Sequence, residues 1–91
     1  MDGLKHNWLL SKLDDEIIIY RGARTKNGFK GCSWSLEQEQ GEWFANRHGT
    51  KGFVFKAKIK KNDVIAFKNE RSEKEIIADY TKIYDVEVIG N

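Results

Sequence analysis

The chain of 91 residues is long enough for one hydrophobic core and too short for two, so a single domain over residues 1–91 is expected. Hydrophobic residues make up 40% of the chain and charged residues 33%, a composition that argues against intrinsic disorder. The formal net charge of +2 comes from 16 basic and 14 acidic residues mixed along the chain. The protein as a whole therefore lacks the positive electrostatic field that would indicate nucleic-acid binding.

The cysteine content and the apolar runs indicate a cytoplasmic protein. Cys32 is the single cysteine, which excludes an internal disulfide, and no apolar run reaches the ~20 residues that span a bilayer. The N-terminus lacks the uninterrupted apolar segment of a secretory signal peptide. Both histidines are distant from Cys32 in the sequence, so no metal site is expected.

The first third of the chain predicts a helix, a strand and a loop. Residues 4–13 carry their apolar side chains on one side of a helix, which predicts a short amphipathic helix. Residues 16–21 form an apolar, β-branched run before Gly22 and predict a buried strand. Residues 22–31 contain three glycines and three basic residues, a composition typical of a mobile surface loop.

The middle of the chain predicts a second helix. Ser35 is placed to accept hydrogen bonds from the first free N–H groups of a helix, and Gln38 to reach back to it, as in a capping box. The apolar residues that follow, including Trp43 and Phe44, fall on one helical face. We expect an amphipathic helix over residues 36–47, with Trp43 in the core.

The second half of the chain predicts four strands. Residues 53–59 alternate, which indicates an apolar inner face and a basic outer face. A turn at residues 62–63 precedes a strand over 64–67, and two more strands are expected over 75–80 and 83–89. The predicted fold class is α+β, with an N-terminal helix, a twisted pair of small sheets of five or six strands, and one amphipathic helix.

Three short motifs occur in order along the chain: Tyr20-Arg21-Gly22, Cys32-Ser33-Trp34-Ser35 and Glu73-Lys74-Glu75. The first stands at the end of a predicted strand, the second runs into the predicted helix, and the third enters a strand. In this combination and order they resemble the ADP-ribosyltransferase superfamily of the arginine–serine–glutamate type. The resemblance covers about residues 17–89 and implies a small, phage or mobile-element member with an ADP-ribosyltransferase-like fold and a cleft for NAD.

The resemblance and the chemistry of NAD assign binding roles to the first two motifs. The guanidinium of Arg21 suits the pyrophosphate because it can donate paired, charge-assisted hydrogen bonds. Gly22 leaves the main chain open to the flat carboxamide of nicotinamide. The resemblance implies that Ser33 or Ser35 supports the glutamate and the nicotinamide ribose, a choice that the sequence leaves open.

Two glutamates and two aromatic residues complete the expected site. Cleavage of the bond between nicotinamide and ribose builds positive charge on the ribose, which the carboxylate of Glu75 would stabilise. The resemblance implies that Glu73 orients or deprotonates the acceptor. Trp34 and Phe44 are candidates to flank the nicotinamide ring, because flat apolar faces would stack on it and exclude water.

The predicted function is that of an NAD-dependent mono-ADP-ribosyltransferase, an enzyme of the glycosyltransferase class with NAD as its substrate. It would modify a host macromolecule, with a protein as acceptor or partner, in the cytoplasm of the host cell. The alternative is a non-catalytic binding or inhibitor module that keeps the transferase-like fold. A nucleic-acid-associated domain is a third, less favoured interpretation, which would use the lysine row at Lys56, Lys58 and Lys60.

Each site residue also has a purely structural interpretation. Arg21 could pair with a surface carboxylate such as Asp14. Glu73 and Glu75 could belong to a solvated charged loop, and Ser35 could be no more than a helix cap. Because Arg21 occurs together with the other motifs, we favour the functional interpretation of this residue over the structural one.

Overall fold

The computed structural model describes residues 14–46, 52–68 and 74–90. Within these ranges the elements in chain order are β1 (Glu16–Ala23), β2 (Ser33–Ser35), α1 (Gln38–Asn46), β3 (Phe53–Lys60), β4 (Val64–Lys68), β5 (Glu75–Ala78) and β6 (Tyr84–Gly90). Short 3-10 helices are found at Gly28–Lys30, Lys61–Asp63 and Tyr80–Lys82. The helix predicted over residues 4–13 lies outside the described residues.

The six strands belong to one antiparallel sheet. Their order across the sheet is β4-β5-β2-β1-β3-β6. The predicted transferase-like fold with two small sheets is therefore wrong, because β2 pairs with β1 on one side and with β5 on the other and joins all strands into a single sheet. The sequence did not predict β2, since its three residues are too few to show a two-fold alternation.

The hydrophobic core confirms β3, which was predicted from alternation, and β1, which was predicted from its β-branched run. In β3, Phe55, Ala57 and Ile59 are buried, and they share the core with Ile17 and Ile19 of β1. The pairing register places Ile17 opposite Ile59 and Ile19 opposite Ala57, so these side chains project from the same face of the sheet. Burying an aliphatic side chain of this size stabilises a fold by roughly 1.5–3 kcal/mol, which makes the β1–β3 pair the centre of the domain.

Gly22 lies inside β1 and does not end it, because α1 packs directly on this residue. A Cβ atom on Gly22 would lie 2.0 Å from the carbonyl oxygen of Gly41 and 2.4 Å from the backbone nitrogen of Ala45. Gly41 and Ala45 are also the buried residues of α1 and stand one turn apart. The backbone of the helix therefore packs directly against the backbone of the strand.

The N-terminus of α1 differs from the predicted capping box. The helix begins at Gln38 and not at residue 36, and Ser35 is the last residue of β2. The Oγ atom of Ser35 accepts a hydrogen bond of 3.0 Å from the N–H of Glu37, in the turn that precedes the helix. Gln38 donates through Nε2 to Oε2 of Glu42 at 3.0 Å, along the exposed side of the helix. The two side chains therefore do not cap each other.

The buried face of α1 is also different from the predicted one. Trp43 is 58% exposed and Phe44 is 45% exposed, so the expectation that Trp43 belongs to the core is wrong. The small residues Gly41 and Ala45 face the sheet instead. Their size permits the close contact with β1, and the bulky aromatic rings of Trp43 and Phe44 remain exposed.

The segment between β1 and β2 contains more structure than the predicted loop. Hydrogen bonds from Gly28 N to Thr25 O and from Lys30 N to Asn27 O close a turn and a 3-10 helix. Phe29 packs against the core, with its ring centroid 5.9 Å from that of Phe55. The packing of Phe29 therefore anchors this glycine-rich and basic segment on the sheet.

The later elements agree with the sequence apart from their ends. The turn at residues 62–63 lies in a 3-10 helix, and the strand over 64–67 corresponds to β4. β5 ends at Ala78, two residues before the predicted end, because Asp79 caps the next 3-10 helix by accepting from the N–H of Thr81 at 2.9 Å. In the described part of the chain, no helix combines the length and the apolar character of a membrane span.

Replacing Gly22 with alanine is expected to lower the free energy of unfolding by about 1–3 kcal/mol, because the new methyl group would overlap the Gly41 carbonyl and displace α1. Urea unfolding measures this change. Gly90→Ala is a matched control, since its Cβ would meet Val54 at an ordinary 3.8 Å. Its effect should stay within about 0.5 kcal/mol, and equal effects of both variants would contradict the close contact.

Candidate functional site

A cleft of about 560 Å³ opens on the sheet beside α1. The end of β1 with the turn that follows it, β2, α1 and the first residue of β5 line it. This volume falls in the range of about 300–1,000 Å³ that small-molecule sites occupy. The described cleft is therefore large enough for a ligand of cofactor size.

The cleft lies where β1 and β2 part. Tyr20 lies opposite Ser35, and in a continued antiparallel ladder Gly22 would lie opposite Ser33. Among the described residues the ladder stops after the first pair, while β1 stays paired with β3 and β2 with β5. A gap therefore opens between two strands that are each held firmly on their other side.

The guanidinium of Arg21 bridges this gap. Its Nε donates to the carbonyl oxygen of Gly28 at 2.7 Å, and its Nη1 donates to the carbonyl oxygen of Ser33 at 2.8 Å. The group lies against Gly31, where a Cβ atom would come within 2.1 Å of Nη2. Burial lowers the pKa of Arg21 from its ordinary value. Its described partners are main-chain carbonyls, and not the carboxylate of Asp14.

Ser33 is the serine that contacts the predicted catalytic glutamate. Its hydroxyl donates a hydrogen bond to Oε2 of Glu75. The register places Ser35 opposite Glu75 and Ser33 opposite Ile77, so the two serines and Glu75 project from one face of the sheet. The Ser35 hydroxyl is buried and accepts from the N–H of Glu37. The hydroxyl groups of the two serines therefore have different partners, Glu75 for Ser33 and the N–H of Glu37 for Ser35.

Arg21 and Glu75 leave the sheet from opposite faces and still border one cleft. Arg21 lies opposite Phe55, on the face that carries the core, whereas Glu75 shares the other face with Ser33. Ser33 connects them, because its main-chain carbonyl accepts from Arg21 and its hydroxyl donates to Glu75. The gap between the strands makes this connection possible.

The start of β5 is anchored to the turn that precedes α1. Lys74 has a left-handed φ of 51°, an uncommon conformation for a residue with a side chain. Its carbonyl oxygen accepts from the N–H of Leu36 at 3.1 Å, and its Nζ lies 3.6 Å from Oε2 of Glu37. These contacts fix the position from which Glu75 enters the cleft. Glu73, the other predicted catalytic residue, lies outside the described residues.

The two aromatic residues predicted to flank a ligand have different surroundings. Trp34 is 2% exposed and donates from Nε1 to the carbonyl oxygen of Gly31 at 3.0 Å, so it is mainly a core residue at the base of the cleft. Phe44 lines the cleft from α1 and packs edge-to-face on Trp43, with ring centroids 4.9 Å apart. Phe44 therefore offers more ring surface to a ligand than Trp34.

Several lining residues were not predicted as ligand contacts. Arg24 and Gln40 border the cleft from the turn after β1 and from α1, and Tyr20 and Gly41 also line it. The small residues at positions 41 and 45, spaced one helical turn apart, were the available signal that this side of α1 faces the sheet. Arg24 had no signal beyond its place in a basic segment.

The predicted lysine row carries carboxylates beside its basic groups. Lys58 Nζ lies 3.8 Å from Oε1 of Glu16 and 3.5 Å from Oδ2 of Asp85. Lys56 lies opposite Glu87 in the ladder between β3 and β6. These neighbours offset the positive charge that a phosphate backbone would need, which argues against the nucleic-acid interpretation.

The comparisons with known proteins add no family to this description. The chain matches no protein-family model, no curated protein and no solved structure. Within residues 14–46, 52–68 and 74–90, no three His, Cys, Asp or Glu side chains are grouped as metal ligands would be. The cleft is therefore characterised by its own functional groups, which are the guanidinium of Arg21, the hydroxyl of Ser33 and the carboxylate of Glu75.

Arg21→Lys is expected to lower the free energy of unfolding by about 1.5–3 kcal/mol, because an ammonium cannot bridge both carbonyl groups in the geometry of the planar fork. The midpoint of urea unfolding measures the loss. Arg24→Lys is the matched control, since Arg24 is exposed and has no hydrogen bond or ion pair in the described chain. Equal stability of the two variants would show that the bridge contributes nothing.

Proposed function

We propose that this chain is an NAD-dependent mono-ADP-ribosyltransferase that modifies a host macromolecule, with a protein as the acceptor. The observation that carries the proposal is the hydrogen bond from Ser33 to Glu75 in a cleft that Arg21 also borders. Arginine, serine and glutamate follow one another along the chain in the order of the transferase family that the sequence resembles. Arg21 stands 12 residues before Ser33 and Glu75 stands 42 residues after it, and both side chains form hydrogen bonds with Ser33.

The distribution of charge in the cleft suits NAD. The nicotinamide ring of NAD carries a positive charge, and its pyrophosphate is negative. The lining contains the carboxylate of Glu75 together with the guanidinium groups of Arg21 and Arg24. A ligand with charges of both signs is complementary to such a lining, whereas a purely anionic ligand would meet Glu75 unfavourably.

The proposed reaction needs one well-placed carboxylate. The bond between ribose C1′ and the nicotinamide nitrogen breaks, and its electron pair leaves with nicotinamide. Positive charge develops on the ribose, and Glu75 stabilises it. A nucleophile of the acceptor then forms the new bond to C1′ and releases its proton to a base, a role that the family resemblance gives to Glu73.

Ser33 supports this role of Glu75 by fixing its carboxylate. The hydroxyl engages Oε2, and Oε1 has no hydrogen-bond partner in the described chain, so one oxygen remains for the ribose. Phe44, 45% exposed, provides an apolar surface on which the nicotinamide ring can stack. A carboxylate held in advance costs less reorganisation during the reaction than a mobile one.

The alternative function is a non-catalytic binding module. It is favoured by the contacts of Arg21, whose Nε and Nη1 already donate to main-chain carbonyls. Such contacts would maintain the cleft whether or not a ligand is cleaved in it. Turnover of NAD separates the two functions.

Glu75→Gln is expected to reduce the release of nicotinamide from NAD by about 10²–10³-fold, because the amide keeps the shape of the side chain and removes the charge that stabilises the transition state. Chromatography of the reaction products measures nicotinamide. With labelled NAD in a cell lysate, the wild type should label a macromolecule and the variant should not.

Glu39→Gln is the control for this experiment, since Glu39 is exposed on the first turn of α1 and does not line the cleft. Its turnover should equal that of the wild type. Unchanged turnover in Glu75→Gln would contradict the catalytic assignment. Binding of NAD by the wild type without release of nicotinamide would favour the binding module.

A further inference from the structure

Two guanidinium groups border the cleft, and the first is already engaged. Arg21 uses Nε and Nη1 to hold the carbonyl oxygens of Gly28 and Ser33, and its Nη2 side lies against Gly31. A guanidinium binds a phosphate best through two parallel N–H groups on one edge of its plane. A phosphate on the Nε edge of Arg21 would displace the Gly28 carbonyl and weaken the bridge between β1 and the segment before β2.

Arg24 has the opposite surroundings. It lines the cleft, is exposed, and neither donates a hydrogen bond nor forms an ion pair to any residue in the described ranges. All five of its N–H donors are therefore available to a ligand. Its side chain can bind an anion without breaking any contact of the described fold.

The position of Arg24, directly after β1, also suits the pyrophosphate. The carboxylate of Glu75 contacts the hydroxyl of Ser33, which in a continued ladder would lie level with Gly22 of β1. Arg24 lies two residues beyond Gly22, directly after the end of β1 at Ala23, which is ~7 Å at about 3.3 Å per residue. In NAD the pyrophosphate is separated from the scissile bond by the ribose, so the anionic group and the reacting bond are displaced from each other in the same way.

We propose that Arg24 is the residue that binds the pyrophosphate of NAD, and that Arg21 is a positioning residue that holds Ser33 and the gap between β1 and β2. This inference rests on the proposed function, since it takes NAD as the ligand. The sequence led us to expect Arg21 to bind the pyrophosphate. In this inference Arg24 has that role and Arg21 has a structural one. Arg24 determines affinity for the ADP-ribose part of the substrate, and Arg21 maintains the site.

The test measures binding, so that it does not depend on turnover. Calorimetry with ADP-ribose, which has the pyrophosphate, and with nicotinamide riboside, which has no phosphate, is carried out on the wild type and on Arg24→Gln. We expect Arg24→Gln to weaken ADP-ribose binding by about tenfold or more and to leave riboside binding unchanged. Arg24→Lys should give an intermediate loss, because it keeps the charge and lacks the fork.

Lys26→Gln is the matched control. It removes the same charge two residues further along the exposed segment, and Lys26 does not line the cleft. Solvent and salt screen a charge at this site, so its effect on ADP-ribose affinity should be less than about threefold. Thermal unfolding followed by circular dichroism shows that the variants are folded.

Selective loss of ADP-ribose affinity in Arg24→Gln supports the inference. Equal affinities of Arg24→Gln and Lys26→Gln for ADP-ribose would overturn it and leave the proposed function intact, because the wild type would still bind the ligand. An equal loss of both ligands in Arg24→Gln would also overturn it, since the residue would then affect the whole cleft. A wild type that binds neither NAD nor ADP-ribose would overturn the proposed function, and this inference with it.

Discussion

The bridge that Arg21 forms between two main-chain carbonyls is the interaction on which the site depends. Where the ladder between β1 and β2 stops, the guanidinium donates to the carbonyl oxygen of Ser33. It also donates to the carbonyl oxygen of Gly28, which accepts from the N–H of Gly31 at 3.1 Å as well. A carbonyl shielded from water and left without a donor costs about 1–3 kcal/mol, so the part-buried Ser33 carbonyl needs a substitute for the missing donor of β1. By holding Ser33, the bridge also determines where the hydroxyl that contacts Glu75 stands.

The strands that the sequence predicted are those whose signal is local. The alternation around Phe55 and the β-branched run of β1 locate β3 and β1, because the side chains of these strands alternate between a buried and a partly exposed face. β2 was missed, since Ser33 to Ser35 form a strand only through their neighbours on both sides. The single sheet follows from these non-local pairings, which no local pattern contains. The misplaced face of α1 has another cause: Trp43 and Phe44 carry the strongest apolar signal, but the contact with β1 requires small residues.

The site shows the same division between local and non-local information. The motifs pointed to Arg21, to Ser33 or Ser35, and to Glu75, and all of these residues line one cleft. Their contacts could not be derived from the motifs, because Arg21 and Glu75 project from opposite faces and meet Ser33 through different atoms. Arg24 stands out only when the surroundings of the two arginines are compared, since both are simply basic residues near the end of a strand in the sequence.

The contact between Gly22 and α1 has a consequence for the width of the cleft. With no side chain between the strand and the Gly41 carbonyl, the separation of these two walls equals the contact distance of their backbones and is already at its minimum. Substitutions at the rim, at positions such as Phe44 or Gln40, can change the shape and polarity that a ligand meets. They cannot bring the helix closer to the strand, so divergence of this protein toward smaller ligands would have to proceed by filling the cleft with larger side chains.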